Sequence, residues 1–239
     1  MKQHINGVHH LAVMAADIKT HIAFFADVLG CPLVALFPMH GVAGGLHAFL
    51  RLNDHCYFSI VQLPGVAAIP IEIGKTHAGT GAGVSAAGTL QHLAFSVESP
   101  NALLAMRDRI RAHGVNVLGP IDHGMCQSIY FAGPDHLTLE IATSAVAIDP
   151  RAWTNPATLA LAGISPEECA RFADPAAYNG PSPVAQPPYD ASKPHQNFPE
   201  KIYRAMLAAP DDVIAAGASY AEPPVKVEPQ SEGLDDAGD

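Results

Sequence analysis

Charged residues are scarce in this chain, at 15%, and basic ones scarcer still, with 13 Lys and Arg against 23 Asp and Glu. No cluster of Lys and Arg suits a phosphate backbone, so nucleic acid is excluded as a partner. The four cysteines, Cys31, Cys56, Cys126 and Cys169, form no C-x-x-C pair and read neither as a zinc ribbon nor as a disulfide framework. No run reaches the roughly eighteen apolar residues that span a bilayer, and no membrane partner is expected. The first residues carry one lysine followed by polar residues and histidines, without the apolar run of a signal peptide. A reducing cytoplasm is the expected setting.

Apolar residues, by contrast, make up 49% of the 239 positions, enough for a core. The net charge of −10 is unevenly placed, because the last thirty residues hold eight acids against one lysine. An internal echo organises the rest. His10-Leu11-Ala12-Val13 returns 82 positions later as His92-Leu93-Ala94-Phe95, each alternating with the period of a half-buried strand. A helix follows each copy. In the first, Asp17 caps, Ile18, Ile22, Phe25 and Leu29 form one stripe, and Gly30 ends it. In the second, Ser99 caps, Pro100 takes the first turn, Leu103, Met106 and Ile110 form the stripe, and Gly114 ends it. β-rich stretches follow, from Ala48 to Leu63 and from Ser128 to Thr143.

These signals predict an α+β fold of two tandem βαβββ modules, residues 1–83 and 84–146, forming a curved mixed sheet around a metal cavity. Residues 147–239 hold fourteen of the 21 prolines and only one of the 13 histidines. They are expected to form an extended C-terminal arm with short helices near Ser165–Asp174 and Phe198–Ala209. Trp153 is expected to anchor its start, and the acidic end from about Tyr220 to be disordered.

A histidine near a strand is usually an ordinary polar side chain, but His10 and His92 hold the same place in both copies. On each strand the histidine shares a face with small residues, Ala12 or Ala94 and Ser96. Bulky Leu11 and Val13, or Leu93 and Phe95, take the opposite face. This phase selects His10 over His9. In His136-Leu137-Thr138-Leu139-Glu140-Ile141 the apolar residues again share one face and leave Glu140 on the other. Two imidazoles and one carboxylate with open positions form the facial set used by non-haem Fe(II) oxygenases. The metal ligands expected are therefore His10, His92 and Glu140, with the corresponding place in the first module taken by Ser59.

With these residues in view, the chain resembles the vicinal-oxygen-chelate superfamily: glyoxalase I, bleomycin-resistance proteins and type I extradiol dioxygenases. The resemblance covers about residues 5–145. Gly7-Val8-His9-His10-Leu11 and the helix end Ala23-Phe24-Phe25-Ala26-Asp27-Val28-Leu29-Gly30 carry it in the first module. In the second, Ile121-Asp122-His123, then Ile129-Tyr130, Pro134 and Glu140 follow the extradiol pattern, departing from it at Gly133 and His136.

That resemblance implies an Fe(II)-dependent extradiol-type dioxygenase, an oxidoreductase of aromatic catabolism that opens a catechol-like diol with O₂. Mn(II) or another divalent ion is the alternative cofactor. It implies contacts to the bound diol from His123 and Tyr130, and an acid/base histidine at His55, with His77 as the weaker contender. It also implies a homo-oligomer, dimeric or higher. The rival reading is a glyoxalase-like isomerase, epimerase or lyase using a fourth ligand from the first module, where Gln62 stands near Ser59. A third is a ligand-sequestering module without metal.

Overall fold

Two four-stranded mixed sheets, each with its own helix, are built from the two copies of the repeat. A computed structural model describes residues 5–218, 220 and 222–227. The first sheet has the order β1-β4-β3-β2, from His10–Met14 (β1), Leu33–Pro38 (β2), Leu46–Asn53 (β3) and Cys56–Gln62 (β4). The second repeats it as β5-β8-β7-β6, from Leu93–Ser96 (β5), Leu118–Asp122 (β6), Gln127–Ala132 (β7) and Thr138–Thr143 (β8). In each sheet the first strand runs parallel to the last and lies at an edge, while the other pairings are antiparallel. The α+β architecture of tandem βαβββ modules is thus what the sequence predicts.

The helix signals act as expected. Asp17 caps Ile18–Ala23 (α1) by accepting from the backbone N–H groups of Lys19 and Thr20, and a wider π-helical turn, Phe24–Val28, extends the helix. Ser99 caps Pro100–Ala112 (α2) through the Ala102 N–H, with Pro100 in the first turn, where a missing N–H costs nothing. Gly30 sits at φ +81°, and a methyl group there would lie 3.3 Å from the Arg109 guanidinium. That close approach is used: Arg109 of α2 donates to the carbonyl oxygens of Val28 at 2.7 Å and Asp27 at 2.8 Å. These carbonyls close the first helix, so a cation from the second module satisfies groups that the helix leaves unpaired.

The two modules share one apolar core. Phe25 stacks on Phe58 at 4.0 Å and meets Phe95 of the second module edge-on at 6.1 Å, while Phe24 stacks with Phe131 at 6.4 Å. Leu50, Ile60, Leu103, Ile110, Ile129 and Leu139 complete it. The strand phase follows: Val13 is buried and Leu11 half-buried, whereas His10, Ala12 and Met14 are exposed.

The chain divides into two compact units, 1–177 and 178–239, so residues 147–177 group with the paired modules rather than with the rest of the arm. In the first unit Pro150–Trp153 (α3), Pro156–Leu161 (α4) and Pro166–Ala173 (α5) follow the second sheet. Trp153 lies over Gly124, where a methyl group would come within 2.7 Å of the indole. In the second unit Glu200–Ala208 (α6) and Asp211–Ala218 (α7) accompany an aromatic cluster of Tyr189, His195, Phe198 and Tyr203. The expectation of disorder from about Tyr220 falls largely outside the described residues. Among those residues no helix is long and apolar enough to cross a membrane.

Candidate functional site

The strand register makes the equivalence of the two modules concrete. Ala94 on β5 faces Glu140 on β8, and Ala12 on β1 faces Ser59 on β4. Likewise Tyr130 on β7 stands opposite Glu140 as Phe49 on β3 stands opposite Ser59. Serine therefore occupies the first-module place that carries a carboxylate in the second. Ser59 is fully buried and bonded to His47 Nε2 at 2.6 Å. Gln62, the nearby alternative, is committed elsewhere: its Oε1 accepts from the Ile18 N–H at the start of α1 at 2.7 Å.

In the second module, His92 Nε2 lies 3.0 Å from Glu140 Oε2, and Glu140 is only 5% exposed. A carboxylate this deep needs a positive partner. His92 Nδ1 is bonded to Gln91 Oε1, and the Gln91 amide NH₂ donates to the carbonyl oxygens of Thr80 at 3.0 Å and Gly83 at 3.1 Å. Two carbonyls on the nitrogen side fix the amide's orientation, so its oxygen accepts from His92 Nδ1–H. The lone pair of Nε2 then faces a carboxylate oxygen, and two acceptors at that separation require a proton or a metal ion between them. Two ligands each about 2.1 Å from one ion and at right angles to it stand about 3 Å apart. The pair fits two adjacent positions on a divalent metal.

Beside it, Tyr130 Oη is 2.9 Å from His123 Nε2. Burial, together with the neighbouring Glu140 carboxylate, holds the Tyr130 hydroxyl above its usual pKa, so it remains a neutral donor. A cavity of about 490 Å³ opens at His92, lined by Ala12, Met14, Ile71, His77, Gln91 and Thr138 among others. Its walls are mostly aliphatic, with polar groups at a few points, as small-molecule sites are.

Three of the residues expected from sequence are thus assembled with Glu140: His92, Tyr130 and, through the tyrosine, His123. His10 is not among them. Its ring contacts Phe49 at 5.5 Å and its Nδ1 is 2.9 Å from that of His9, on the exposed face of an edge strand. Among the described residues no three His, Cys, Asp or Glu side chains gather as a metal cluster within the chain. His55 stands in the tight turn between β3 and β4, exposed, its N–H bonded to Asn53 Oδ1, and does not line this cavity. His77 does line it.

The structure also brings in residues that the sequence did not single out. His47 belongs to the His10 face, and its pKa is lowered by burial and by the charges of His10 and His40. Asp135 ties the turn before β8 to the first module: its Oδ2 accepts from the Ala16 N–H at 2.7 Å and lies 3.6 Å from Nε2 of buried His21. Asp135 and His136 both hold left-handed backbone, φ +50° and +58°, which accounts for the turn at the pattern's departure, His136.

Residues 7–141 match the family described as Glyoxalase/Bleomycin resistance protein/Dioxygenase superfamily. Solved structures of similar fold include a glyoxylase/bleomycin resistance protein/dioxygenase domain from Frankia sp., 16% identical, covering 59% of this chain and 99% of its own, with a TM-score of 0.47. The fosfomycin resistance protein FosX from Listeria monocytogenes, complexed with Mn(II) and sulfate, is 17% identical and covers 60% and 96% at 0.41. TnmS3, an antibiotic binding protein from a Streptomyces species, is 19% identical and covers 60% and 99% at 0.42. A comparison with curated protein sequences gives no match.

Proposed function

Because this chain belongs to the Glyoxalase/Bleomycin resistance protein/Dioxygenase superfamily, we propose that it is an extradiol-type dioxygenase holding Fe(II) through His92, Glu140 and His10. The observation that carries the reading is the His92–Glu140 pair: a tautomer-fixed nitrogen lone pair facing a buried carboxylate oxygen at 3.0 Å. Ser59 in place of a second carboxylate, and Gln62 engaged in capping α1, support three protein ligands rather than four. That favours open positions for substrate over the closed set of an isomerase. When bound, Fe(II) would acidify a chelated diol and provide an electron path between diol and O₂.

The third ligand comes, in this proposal, from His10 of a second copy of the chain. Both β1 and β5 are edge strands, and each chain carries one half of the ligand set on each sheet. Two copies related by a two-fold axis then complete two identical sites.

The remaining roles fall to the cavity. The aliphatic walls suit an aromatic ring, and Tyr130, which stands opposite Glu140 and outside the cavity lining, is the neutral donor beside the ligand pair. Proton transfer goes to His77, in preference to His55, because His77 lines the cavity. Thr76 Oγ1 donates to the Glu72 carbonyl and so accepts from His77 Nδ1–H, leaving His77 Nε2 free to take a proton from the diol and return it. His123 holds the Tyr130 hydroxyl in place.

The test is metal analysis of protein purified without oxygen, followed by oxygen uptake with catechols. The expected result is about one iron per chain and uptake that depends on the diol. Glu140→Ala should lose the metal, whereas His77→Gln should keep it and slow turnover roughly a hundredfold. Normal metal content in Glu140→Ala would sink the assignment, and tight ligand binding without turnover or metal would turn the reading to a binding protein.

A further inference from the structure

Between β4 and β5 the chain runs through 30 residues, 63–92, of which only short turns are regular. Such a length is uncommon for a connection inside a compact unit, and calls for a reason. Part of the reason is what its backbone does at residues 80–83. The carbonyl oxygens of Thr80 and Gly83 accept both hydrogens of the Gln91 amide, at 3.0 and 3.1 Å. Gly83 reaches this place only because it lacks a side chain, since a methyl group there would overlap the Ala78 carbonyl. A methyl on Gly81 would sit 3.4 Å from the Tyr130 ring, so the same segment passes against the tyrosine beside Glu140.

We infer that Gln91 is the positioning residue of the metal centre, and that the connecting segment, through Thr80 and Gly83, sets the tautomer of His92. The chain of bonds has one polarity. Two carbonyls accept from the amide nitrogen, the amide oxygen accepts from His92 Nδ1–H, and His92 Nε2 is turned toward Glu140 as a lone pair. Without Gln91, Glu140 is the one acceptor left to the imidazole among the described residues. The proton would then sit on Nε2, where it blocks the ligand atom. The effect on metal rests on the reading of His92 and Glu140 as ligands; the effect on the proton does not.

Two measurements separate these. In metal-free protein at pH 8, nitrogen NMR of the histidine rings should show His92 Nδ1 protonated in the wild type. In Gln91→Met, a variant of similar size without donor or acceptor, it should be unprotonated, with the hydrogen on Nε2. Gln91→Glu keeps an oxygen acceptor for Nδ1–H while giving up both bonds to the Thr80 and Gly83 carbonyls, and should keep Nδ1 protonated. An unprotonated Nδ1 in the wild type overturns the inference, whatever the variants do. So does a protonated one in Gln91→Met.

The second measurement is Mn(II) binding by calorimetry. Gln91→Met should bind ten- to a hundredfold more weakly, about the range for loss of an orienting hydrogen bond, and Gln91→Glu within a few-fold of wild type. Equal affinities in all three proteins would overturn the inference while leaving the ligands in place. If the wild type binds no Mn(II) while its nitrogen spectrum holds, the metal reading fails and the tautomer assignment stands.

Discussion

His47 and His92 show how differently two imidazoles on equivalent sheets are used. His92 keeps its lone pair for Glu140, while His47 spends Nε2 on the buried hydroxyl of Ser59. Burial and the nearby His10 and His40 lower the His47 pKa, so the folded protein takes up a proton there less readily than the unfolded chain. The unfolded state therefore binds more protons just below the ordinary histidine value, and stability rises with pH there. The contribution is fully present above that value, about 6.5, and is lost as pH falls toward the lowered one. Metal-free protein should melt at a lower temperature at pH 5.5 than at pH 7.5, and His47→Gln should flatten that difference. Calorimetric Tm values at the two pH values check it; an equal slope in both proteins would exclude His47 as a source. Of these residues, His10, His92 and Glu140 are legible in sequence because period two assigns a face and the repeat singles out a position. Gln91 is not, since its role depends on two backbone carbonyls eight and eleven residues away. His55 misleads because a two-residue turn has no inward face.

At the level of elements, the caps and stripes of α1 and α2 can be read directly, since Asp17, Ser99 and Pro100 act through local bonds alone. The π-helical turn Phe24–Val28 cannot, because no local signal marks it, and its rings meet Phe131 and Phe95 of the second module. Three further tail helices lay open to the same reading. Asp149-Pro150 and Asn155-Pro156 pair a capping side chain with proline in the first turn, and Asp211 and Asp212 mark another start. The turn before β8 is set by tertiary contact instead. Asp135→Ala would strand the Ala16 N–H and leave His21 without its carboxylate neighbour, costing about 1–3 kcal/mol. Urea unfolding should show that loss as a lower midpoint at an unchanged slope. A midpoint equal to wild type would mean that the bond contributes nothing.

For the whole molecule, the tandem modules and their shared core follow from the repeated sequence. The grouping of residues 147–177 with them does not, because nothing in composition separates that stretch from the rest of the proline-rich arm. The separation of His10 from His92 and Glu140 is equally invisible to periodicity, which assigns faces but not the relative placement of two sheets. If two copies complete each site, His10→Ala and Glu140→Ala chains damage different halves. Mixed and allowed to reassort at random, they should recover about a quarter of wild-type metal, since half the dimers are mixed and each has one intact site. No recovery, with exchange of chains verified by mass, would exclude His10 of a second copy as the third ligand.

The packing of Trp153 over Gly124 gives this chain an internal optical gauge. It has one tryptophan in 239 residues, and that indole rests on the turn next to His123. Its emission is consequently free of background from other indoles. If the proposed function holds, a ligand or metal ion that alters the surroundings of this turn should shift or quench that one band, and occupancy becomes readable in real time without a label.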